Sequence, residues 1–306
     1  MTQYLIRRVL QAILVVWGVS TIVFAMSHLT GDPGALLLPA NANAQQLAQF
    51  KSDMGLDQPL YVQYLKFLGQ LARGDLGVSI QRKELVADLV LERLPQTLKL
   101  SGTAFLISTI IAFPVGIYGA THRGSLGERA IFALTALAQS MPVFWLGLML
   151  ILFFGVQLRW LPVAGSDTPL HLIMPATALS VYSTARNARL LRSSMLEALG
   201  NEYVRTARAK GLNERVVVWR HALRNSLIPV ITLMGLQLGV LMGGAIVTET
   251  VFSWPGVGRL IGDAIAFRDY PLIQGGVLFL SGVFVIANLV VDLVYVAIDP
   301  RIRING

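Results

Sequence analysis

Six long apolar runs, separated by polar segments, follow one another along this chain. A helix needs about 20 mostly apolar residues to cross the hydrocarbon core of a bilayer. Runs of this kind predict helices at about 9–29, 100–121, 131–156, 170–190, 228–252 and 274–297. The pattern therefore predicts an all-α integral membrane protein with six transmembrane helices.

Arg7 and Arg8 precede the first run, as they would precede the apolar part of a signal peptide. The run is longer than that part normally is, and no small-residue cleavage site follows it, so we interpret it as a retained anchor. Residues 83–94 carry apolar side chains at helical spacing, which predicts an amphipathic helix. The predicted organisation is an anchor helix with an extracytoplasmic segment over 1–98, and a five-helix core over 99–300.

The positions of Lys and Arg predict the topology, because these residues collect in cytoplasmic loops. Arg7 and Arg8 place the N-terminus in the cytoplasm, and six crossings return the C-terminus there, where Arg301 and Arg303 agree. The predicted cytoplasmic loops are 122–130 and 187–227, and the predicted outer segments are 30–98, 157–169 and 253–273. The loop at 187–227 is the most basic of all.

The composition supports a membrane protein, because 54% of the residues are hydrophobic and only 14% are charged. A soluble protein carries about 25% charged residues. The net charge of +8 would favour nucleic-acid binding in a soluble protein, but cytoplasmic loops explain it here, so we expect a lipid bilayer and no nucleic acid as partner. The absence of cysteine excludes disulfides, thiolate metal sites and a cysteine nucleophile.

No arrangement of residues typical of a catalytic site is present in the sequence. The four histidines are scattered, and the zinc motif HExxH, the serine motif GxSxG and the Gly-Lys pair of a phosphate-binding loop do not occur. The sequence therefore predicts no catalytic residue, no metal site and no ATP hydrolysis by a phosphate loop. The histidines are His28, His122, His171 and His221.

Ionisable residues in or near the predicted spans are candidates for a functional role, because burying charge in lipid is costly. Arg186, Glu249 and Asp292 occupy such positions. Each could instead reach an interface or pair with a neighbouring helix, and Glu249 could line an outer vestibule. Trp254, Pro255 and Gly256 lie in the outer loop at 253–273, which is either a surface loop or a cap over a pathway. The predicted outer gate or pathway residues are Glu249, Trp254, Pro255, Gly256 and Asp292.

The segment 202–229 carries six cations against two glutamates. Its pattern predicts a helix over 202–210, a break at Gly211 and a second helix over about 214–225, because glycine permits a positive φ at such a corner. A cytoplasmic location explains the arginines, but it does not explain the alanines and glycine at the corner. We therefore interpret the segment as a cytoplasmic docking element.

The same segment resembles the cytoplasmic loop of binding-protein-dependent ABC transporter permeases. That loop has the pattern E-A-A, three residues, G, nine residues and I-x-L-P, of which Ala207, Gly211 and Leu223 match while His221 stands at the Ile place and Arg224 at the Pro place. The peptide-type version of the loop is closer, since EYVRTARAKGL (202–212) and HALRNSLIPVIT (221–232) look very like it.

Further similar stretches occur in order along nearly the whole chain. They are GDP (31–33), GLDQPLYVQY (55–64), GDLGVS (74–79), RLPQTLKL (93–100), WLPVAG (160–165), HLIMPA (171–176), ARLLRSSML (188–196), VFSWPGVGRL (251–260), RDYPLIQ (268–274) and NLVVDLVY (288–295). The chain is therefore identified as similar to the dipeptide/oligopeptide/nickel permease family.

This resemblance implies a multi-pass permease of the bacterial inner membrane with a type I ABC importer fold. It also implies a second homologous permease subunit, two ATPase subunits and an extracytoplasmic substrate-binding protein, with ATP and Mg²⁺ on the ATPases and no cofactor on this chain. The cytoplasmic loop would couple ATP hydrolysis to transport. The implied coupling residues are Glu202, Tyr203, Arg205, Thr206, Ala207, Arg208, Ala209, Gly211, Leu212, His221, Leu223, Arg224 and Asn225.

The implied substrate is a short peptide, and nickel, a metal chelate or a glutathione-like peptide remain alternatives. A secondary transporter or channel would require polar residues converging in the middle of the membrane and broken half-helices. A membrane enzyme would require carboxylates or histidines clustered at one interface. Neither pattern is evident in the sequence.

Overall fold

The structure is a computed structural model that describes residues 2–29 and 57–298, together with positions 45, 49 and 52. Within these residues the regular structure is helical, apart from an isolated antiparallel bridge between Val78 and Leu85. In chain order the helices are α1 (Thr2–Leu29), α2 (Leu60–Ala72), α3 (Val86–Thr121), α4 (Leu126–Ser140), α5 (Val143–Leu150), α6 (Ile173–Gly200), α7 (Glu202–Ala209), α8 (Glu214–Val216), α9 (Leu223–Val251), α10 (Val257–Ala266) and α11 (Tyr270–Ile298).

Two compact units can be distinguished. Of the described residues, unit 1 contains those up to Pro95 together with Gly256–Val285, and unit 2 contains Gln96–Pro255 together with those from Ile286 onward. Helices α3 and α11 each contribute residues to both units.

Helix α6 is the central element of unit 2, where it packs against α4, α5 and α9. It buries several polar side chains, namely Ser180, Ser183, Thr184 and Asn187. Because its neighbours cover most of α6, the helix does not need an apolar surface on every side. It corresponds to the span predicted at 170–190 and continues ten residues further than predicted, to Gly200.

Helices α3 and α6 approach each other closely at Gly116. A Cβ atom at this position would lie 2.9 Å from Cβ of Leu191 and 3.0 Å from the carbonyl oxygen of Ala188. Leu191 belongs to the apolar core formed with Met195 and Val230, among others. Glycine therefore allows the two helices to pack at this distance.

The core of unit 1 joins the first turns of α3 to α10 and α11. Val86, Leu89 and Val90 pack against Val257, Leu260, Ile261, Ala264 and Leu272. Asp269 precedes α11 and accepts hydrogen bonds from the Ser79 hydroxyl at 2.5 Å and from the backbone N–H of Gln81 at 3.2 Å and of Leu272 at 3.3 Å. This buried carboxylate therefore caps α11 and holds residues 79–81 against it.

Helices α1 and α2 contact each other through aromatic and hydroxyl groups, also within unit 1. The Thr21 and Tyr64 hydroxyls lie 2.6 Å apart, and the rings of Phe24 and Phe67 have centroids 5.7 Å apart.

Three helical stretches in the described part of the chain are long and apolar enough to cross a membrane: Val86–Thr121, Glu214–Gly243 and Tyr270–Leu289. A fourth is obtained if Leu126–Ser140 and Val143–Gln157, which meet at 104°, count as one bent span. Leu10–Met26 is a shorter apolar helix. The all-α class is thus confirmed, while the six crossings remain a prediction.

Helix boundaries differ from the predicted ones at two further places. The predicted amphipathic helix at 83–94 and the predicted span at 100–121 form one continuous helix, α3. The predicted span at 131–156 is broken at Met141 and Pro142, because the proline ring removes a backbone donor and disfavours helical geometry in the preceding residue. A π-helical turn at Ile151–Gln157 then extends α5.

We predict that Gly116→Ala lowers the thermal stability of the detergent-purified protein, because the added Cβ overlaps Leu191 and Ala188. Overpacking of this kind costs about 1–3 kcal/mol. Gly102→Ala is the matched control, since Gly102 lies in the same helix with nothing within 4 Å of its added Cβ. Melting followed by intrinsic fluorescence measures both, and equal melting temperatures would contradict the close approach.

Candidate functional site

The segment predicted to dock a partner, residues 202–225, is here called the corner segment. Its first part is helix α7, Glu202–Ala209, which agrees with the predicted helix over 202–210. Gly211 has φ +77°. The Gly211 N–H donates to the Arg208 carbonyl at 2.9 Å, and the Leu212 N–H donates to the Ala207 carbonyl at 3.3 Å. This is a Schellman motif with glycine at its left-handed position, so the predicted break at Gly211 is confirmed.

An ion pair closes the corner around Gly211. The Arg208 guanidinium donates to the Glu214 carboxylate through Nε at 3.0 Å and through Nη2 at 2.6 Å. This hydrogen bonding raises the pKa of Arg208 above its usual value. Asn213 caps α8 by accepting from the Arg215 N–H at 2.9 Å. An exposed ion pair contributes less than about 1 kcal/mol, so its main effect is to fix the direction of the chain.

After the corner, the chain continues as one helix into the membrane-spanning part. Helix α8 leads into a π-helical turn, Val217–Ala222, and that turn leads into α9. The Leu223 N–H donates to the Val218 carbonyl, which is a π-type bond to the fifth preceding residue. The second helix predicted at 214–225 is therefore not separate from the predicted span at 228–252.

Part of the corner segment is buried within this chain. Val204 and Ala207 pack against Val217 and, on α6, Leu199. Leu223 is also buried, and His221 is half-buried. The small Ala207 therefore holds α7 close to the following helix and does not form part of an exposed small-residue face.

The remaining predicted coupling residues are exposed: Glu202, Tyr203, Arg205, Thr206, Arg208, Ala209, Gly211, Leu212, Arg224 and Asn225. Two further apolar side chains that the sequence interpretation did not select, Val216 and Trp219, are 39% and 57% exposed. Tyr203 and Leu212 are likewise exposed, so this basic segment carries four exposed apolar side chains. The signal for them in the sequence is their apolar character within an otherwise basic segment.

Glu249 and Trp254, at the other end of α9, both form hydrogen bonds with the first third of α3, within unit 2. The Thr97 hydroxyl donates to Glu249 Oε1 at 2.7 Å, and the Trp254 indole N–H donates to the Gln96 carbonyl at 3.0 Å. The Lys99 ammonium lies 5.8 Å from the centroid of the Trp254 ring. Thr97, Glu249 and Trp254 are completely buried. In this conformation Glu249 contacts a neighbouring helix, which was one of the three expectations for it.

The other predicted pathway residues are Pro255, Gly256 and Asp292, and Arg186 was a further ionisable candidate. Pro255 ends unit 2, and Gly256 begins unit 1 as the N-cap of α10. Arg186 is exposed on α6. Asp292 lies in α11, but its side chain is outside the described part of the structure.

The sequence interpretation missed a second polar contact, between α4 and α6. Glu128 is buried and accepts from Arg192 Nε at 2.6 Å and from the Gly124 N–H at 2.5 Å. The Ser125 hydroxyl accepts from the Glu128 N–H at 3.1 Å. The spacing Ser-x-x-Glu before an apolar run is typical of a helix start and could have identified this capping arrangement.

Among the residues whose side chains are described, no three His, Cys, Asp or Glu side chains come together as metal ligands would. The His171 ring accepts from the Thr168 N–H at 3.2 Å, and the His122 ring stacks on Tyr118 with centroids 4.4 Å apart. The side chain of His28 is not among the described ones.

Comparison with known proteins gives consistent matches over the chain. Residues 112–304 match the family described as "Binding-protein-dependent transport system inner membrane component", and residues 1–101 match its described N-terminal part. The chain is 43% identical over 304 residues to the glutathione transport system permease protein GsiC of Escherichia coli O6:H1, with 99% of each chain covered. The protein of that name from Shigella dysenteriae serotype 1 is 42% identical over the same length and coverage.

Solved structures share the fold at lower identity. An inward-facing structure of the MetNI methionine ABC transporter superimposes with a TM-score of 0.59 at 20% identity, covering 69% of this chain and 96% of the other. A structure of an amino acid ABC transporter gives a TM-score of 0.53 at 13% identity, covering 70% and 94%. These two likenesses confirm an all-helical type I importer permease fold and carry no statement about substrate.

We predict that Thr97→Val destabilises the folded protein, because a buried carboxylate loses a hydrogen-bond donor. The loss of a buried partner costs about 1–3 kcal/mol. Thr97→Ser keeps the hydroxyl and serves as the control. Thermal unfolding in detergent should place Thr97→Ser near the wild type and Thr97→Val below it, and the reverse order would contradict the importance of this bond.

Proposed function

Because the chain belongs to the family of binding-protein-dependent transport system inner membrane components, and is a permease subunit of an ABC importer, we propose that it translocates short peptides. The substrate would arrive at the outer mouth on an extracytoplasmic binding protein. The energy would come from two ATPase subunits that bind ATP and Mg²⁺, and a second homologous permease would complete the pathway.

The peptide assignment is supported by relatives that are named as glutathione permeases. They are 42–43% identical to this chain over 99% of its length and 99% of their own. Glutathione is a tripeptide, so these names fall within the short-peptide class. Nickel or a metal chelate is the alternative substrate. The two histidines whose ring contacts are described, His122 and His171, engage in local contacts in separate segments.

The coupling role rests on the geometry of the corner segment. Its exposed apolar side chains, Tyr203, Leu212, Val216 and Trp219, suit a groove on another protein, and the exposed cations of the same segment suit acidic residues on that partner. Gly211, the Arg208–Glu214 ion pair and the packing of Ala207 hold this surface in a fixed shape. Since α8 continues into α9 without a break, a displacement of the docked surface would be transmitted directly along α9.

The proposed topology has six crossings with both termini in the cytoplasm, an anchor and outer segment over 1–98, a core over 99–300 and a cytoplasmic loop at 187–227. Helix α1, the bent pair α4–α5 and α6 would provide the crossings beyond the three helices that are long and apolar enough alone. The high burial of α6 supports its placement as a crossing that faces protein more than lipid.

The residues proposed for the outer gate are Glu249, Trp254, Pro255, Gly256 and Asp292. The observation that supports this is a pair of hydrogen bonds to α3: Glu249 accepts from the Thr97 hydroxyl, and the Trp254 indole donates to the Gln96 carbonyl. These bonds fix the outer end of α9 to α3 in the present conformation. Opening of the pathway would change these contacts between α9 and α3. In this proposal the ATPase subunits hydrolyse ATP, and the chain itself performs no catalysis.

We predict that Gly211→Val reduces the stimulation of ATPase activity by substrate-loaded binding protein in the assembled transporter. Nothing lies within 4 Å of a Cβ added at Gly211, so the effect comes from the φ of +77°, which a β-branched residue adopts only with strain. Gly211→Asn should keep most of the stimulation, because asparagine tolerates this conformation at a lower cost.

The control for this prediction is Gly200→Ala, since Gly200 lies near the corner, has open space and does not have a positive φ. The measured quantity is the ratio of stimulated to basal ATPase rate. A wild-type ratio in Gly211→Val would contradict the coupling role of the corner.

The substrate assignment is tested by transport into liposomes that contain the complete transporter. Labelled glutathione and labelled tripeptides should accumulate only with ATP, the ATPase subunits and the binding protein, and Ni²⁺ should not compete. Liposomes with this chain alone should accumulate no peptide. Uptake by the chain alone, or uptake of Ni²⁺ in place of peptide, would contradict the proposal.

A further inference from the structure

A groove of about 560 Å³ lies within unit 1, between α1 and α11. Helix α1 lines it with Val19, Ile22, Val23 and Met26, which are spaced i, i+3, i+4 and i+7 and so lie on one face of the helix. Helix α11 lines the opposite side with Tyr270, Ile273, Gln274 and Val277, which have the same spacing. The groove is thus a mainly apolar slot between two helices.

The lining of the groove also includes a cationic residue, Arg268, which lies two positions before the first residue of α11. Arg268 and Ile265 complete the lining. Arg268 is exposed, and its guanidinium makes no hydrogen bond or ion pair with any residue that the structure describes. The adjacent carboxylate does not neutralise it, because Asp269 is buried and accepts its hydrogen bonds from Ser79, Ile80, Gln81 and Leu272.

We propose that this groove binds an anionic phospholipid, with one acyl chain between α1 and α11 and the phosphate on Arg268. The protein is an inner membrane component, so phospholipid is always available to it. The apolar walls match an acyl chain, and a volume of this size lies within the range of about 300–1,000 Å³ that is usual for ligand sites. Arginine is well suited to a phosphate, which it can bind through two parallel hydrogen bonds.

The charge favours a lipid over another apolar helix as the occupant. A helix filling the slot would need an acidic residue placed opposite Arg268, whereas every anionic phospholipid carries the phosphate next to its acyl chains. Tyr270 and Gln274, which also line the slot, are suited to the boundary between headgroup and acyl chain, where amphipathic side chains are usual. This proposal does not depend on the identity of the transported substrate.

The test compares Arg268→Gln with Arg159→Gln in the transporter purified with its partner subunits. Arg159 is the matched control, because it is exposed, has a φ of +55° against +57° for Arg268, and makes no side-chain bond within the described part of the chain. It does not line the groove. Each complex is equilibrated in nanodiscs of mixed phosphatidylglycerol and phosphatidylethanolamine, and the retained lipid is measured by native mass spectrometry.

The wild type and Arg159→Gln should retain phosphatidylglycerol, and Arg268→Gln should bind it about tenfold more weakly, as expected for the loss of one charge-assisted contact. Val23→Trp, which fills the slot from α1, should remove the retained lipid while Arg268 is still present. Equal retention in all variants, or equal loss in the two arginine variants, would overturn the proposal. So would a Val23→Trp chain that folds but no longer assembles with the second permease, because the slot would then be a subunit contact.

Discussion

The packing of α6 against α9 is the contact on which the arrangement of unit 2 depends. Leu191 and Met195 meet Val230 and Met234 at one end of this pair, and Leu179 meets Leu241 and Ala245 at the other. The corner segment is the connection between these two antiparallel helices. Any displacement of the corner therefore acts on both members of the central pair, which supports the docking role proposed for this segment.

This contact is not optimised for stability alone. Asn187 on α6 and Gln237 on α9 bury amide groups that make no hydrogen bond with the described residues. A buried amide without a partner costs about 1–3 kcal/mol. Helix α3 packs closely on α6 at Gly116, and Glu128 of α4 forms an ion pair with Arg192 of α6. These contacts offset part of the free-energy cost of the two buried amides. A transporter has to change its packing during its cycle, and a penalty in one conformation reduces the free-energy difference from another.

Local features of the corner could be predicted from the sequence, while features set by tertiary contacts could not. The end of α7 depends on Gly211 and on hydrogen bonds within a few residues, so the pattern alone located it. The fusion of two predicted elements into α3, and of α8 with α9, depends on the absence of a break, which hydrophobic periodicity does not report. The polar character of α6 reflects the helices around it, and its length beyond residue 190 has the same origin.

The site residues also divide into features that the sequence predicts locally and features that tertiary contacts determine. Their chemical type identified the corner segment, but which side chains face outward depends on the packing of α7 on Val217 and Leu199. Ala207 therefore faces inward although its size suggested a docking face. Glu249 was recognised as unusual because of its charge, yet its partner Thr97 lies 152 positions away in the chain, and no local pattern connects the two.

Most of the cations of the corner segment have no acidic partner in the described part of the chain. Arg208 is satisfied by Glu214, and Arg205 lies 3.7 Å from Glu202, whereas the other four cations of the segment pair with no residue in the described part of the chain. These are Lys210, Arg215, Arg220 and Arg224. The predicted cytoplasmic location would account for their sign, but not for the exposed apolar residues Leu212, Val216 and Trp219 in the same segment. Exposed apolar side chains and unpaired cations in one segment have the composition of an interface core and its polar rim, which supports the proposed docking role.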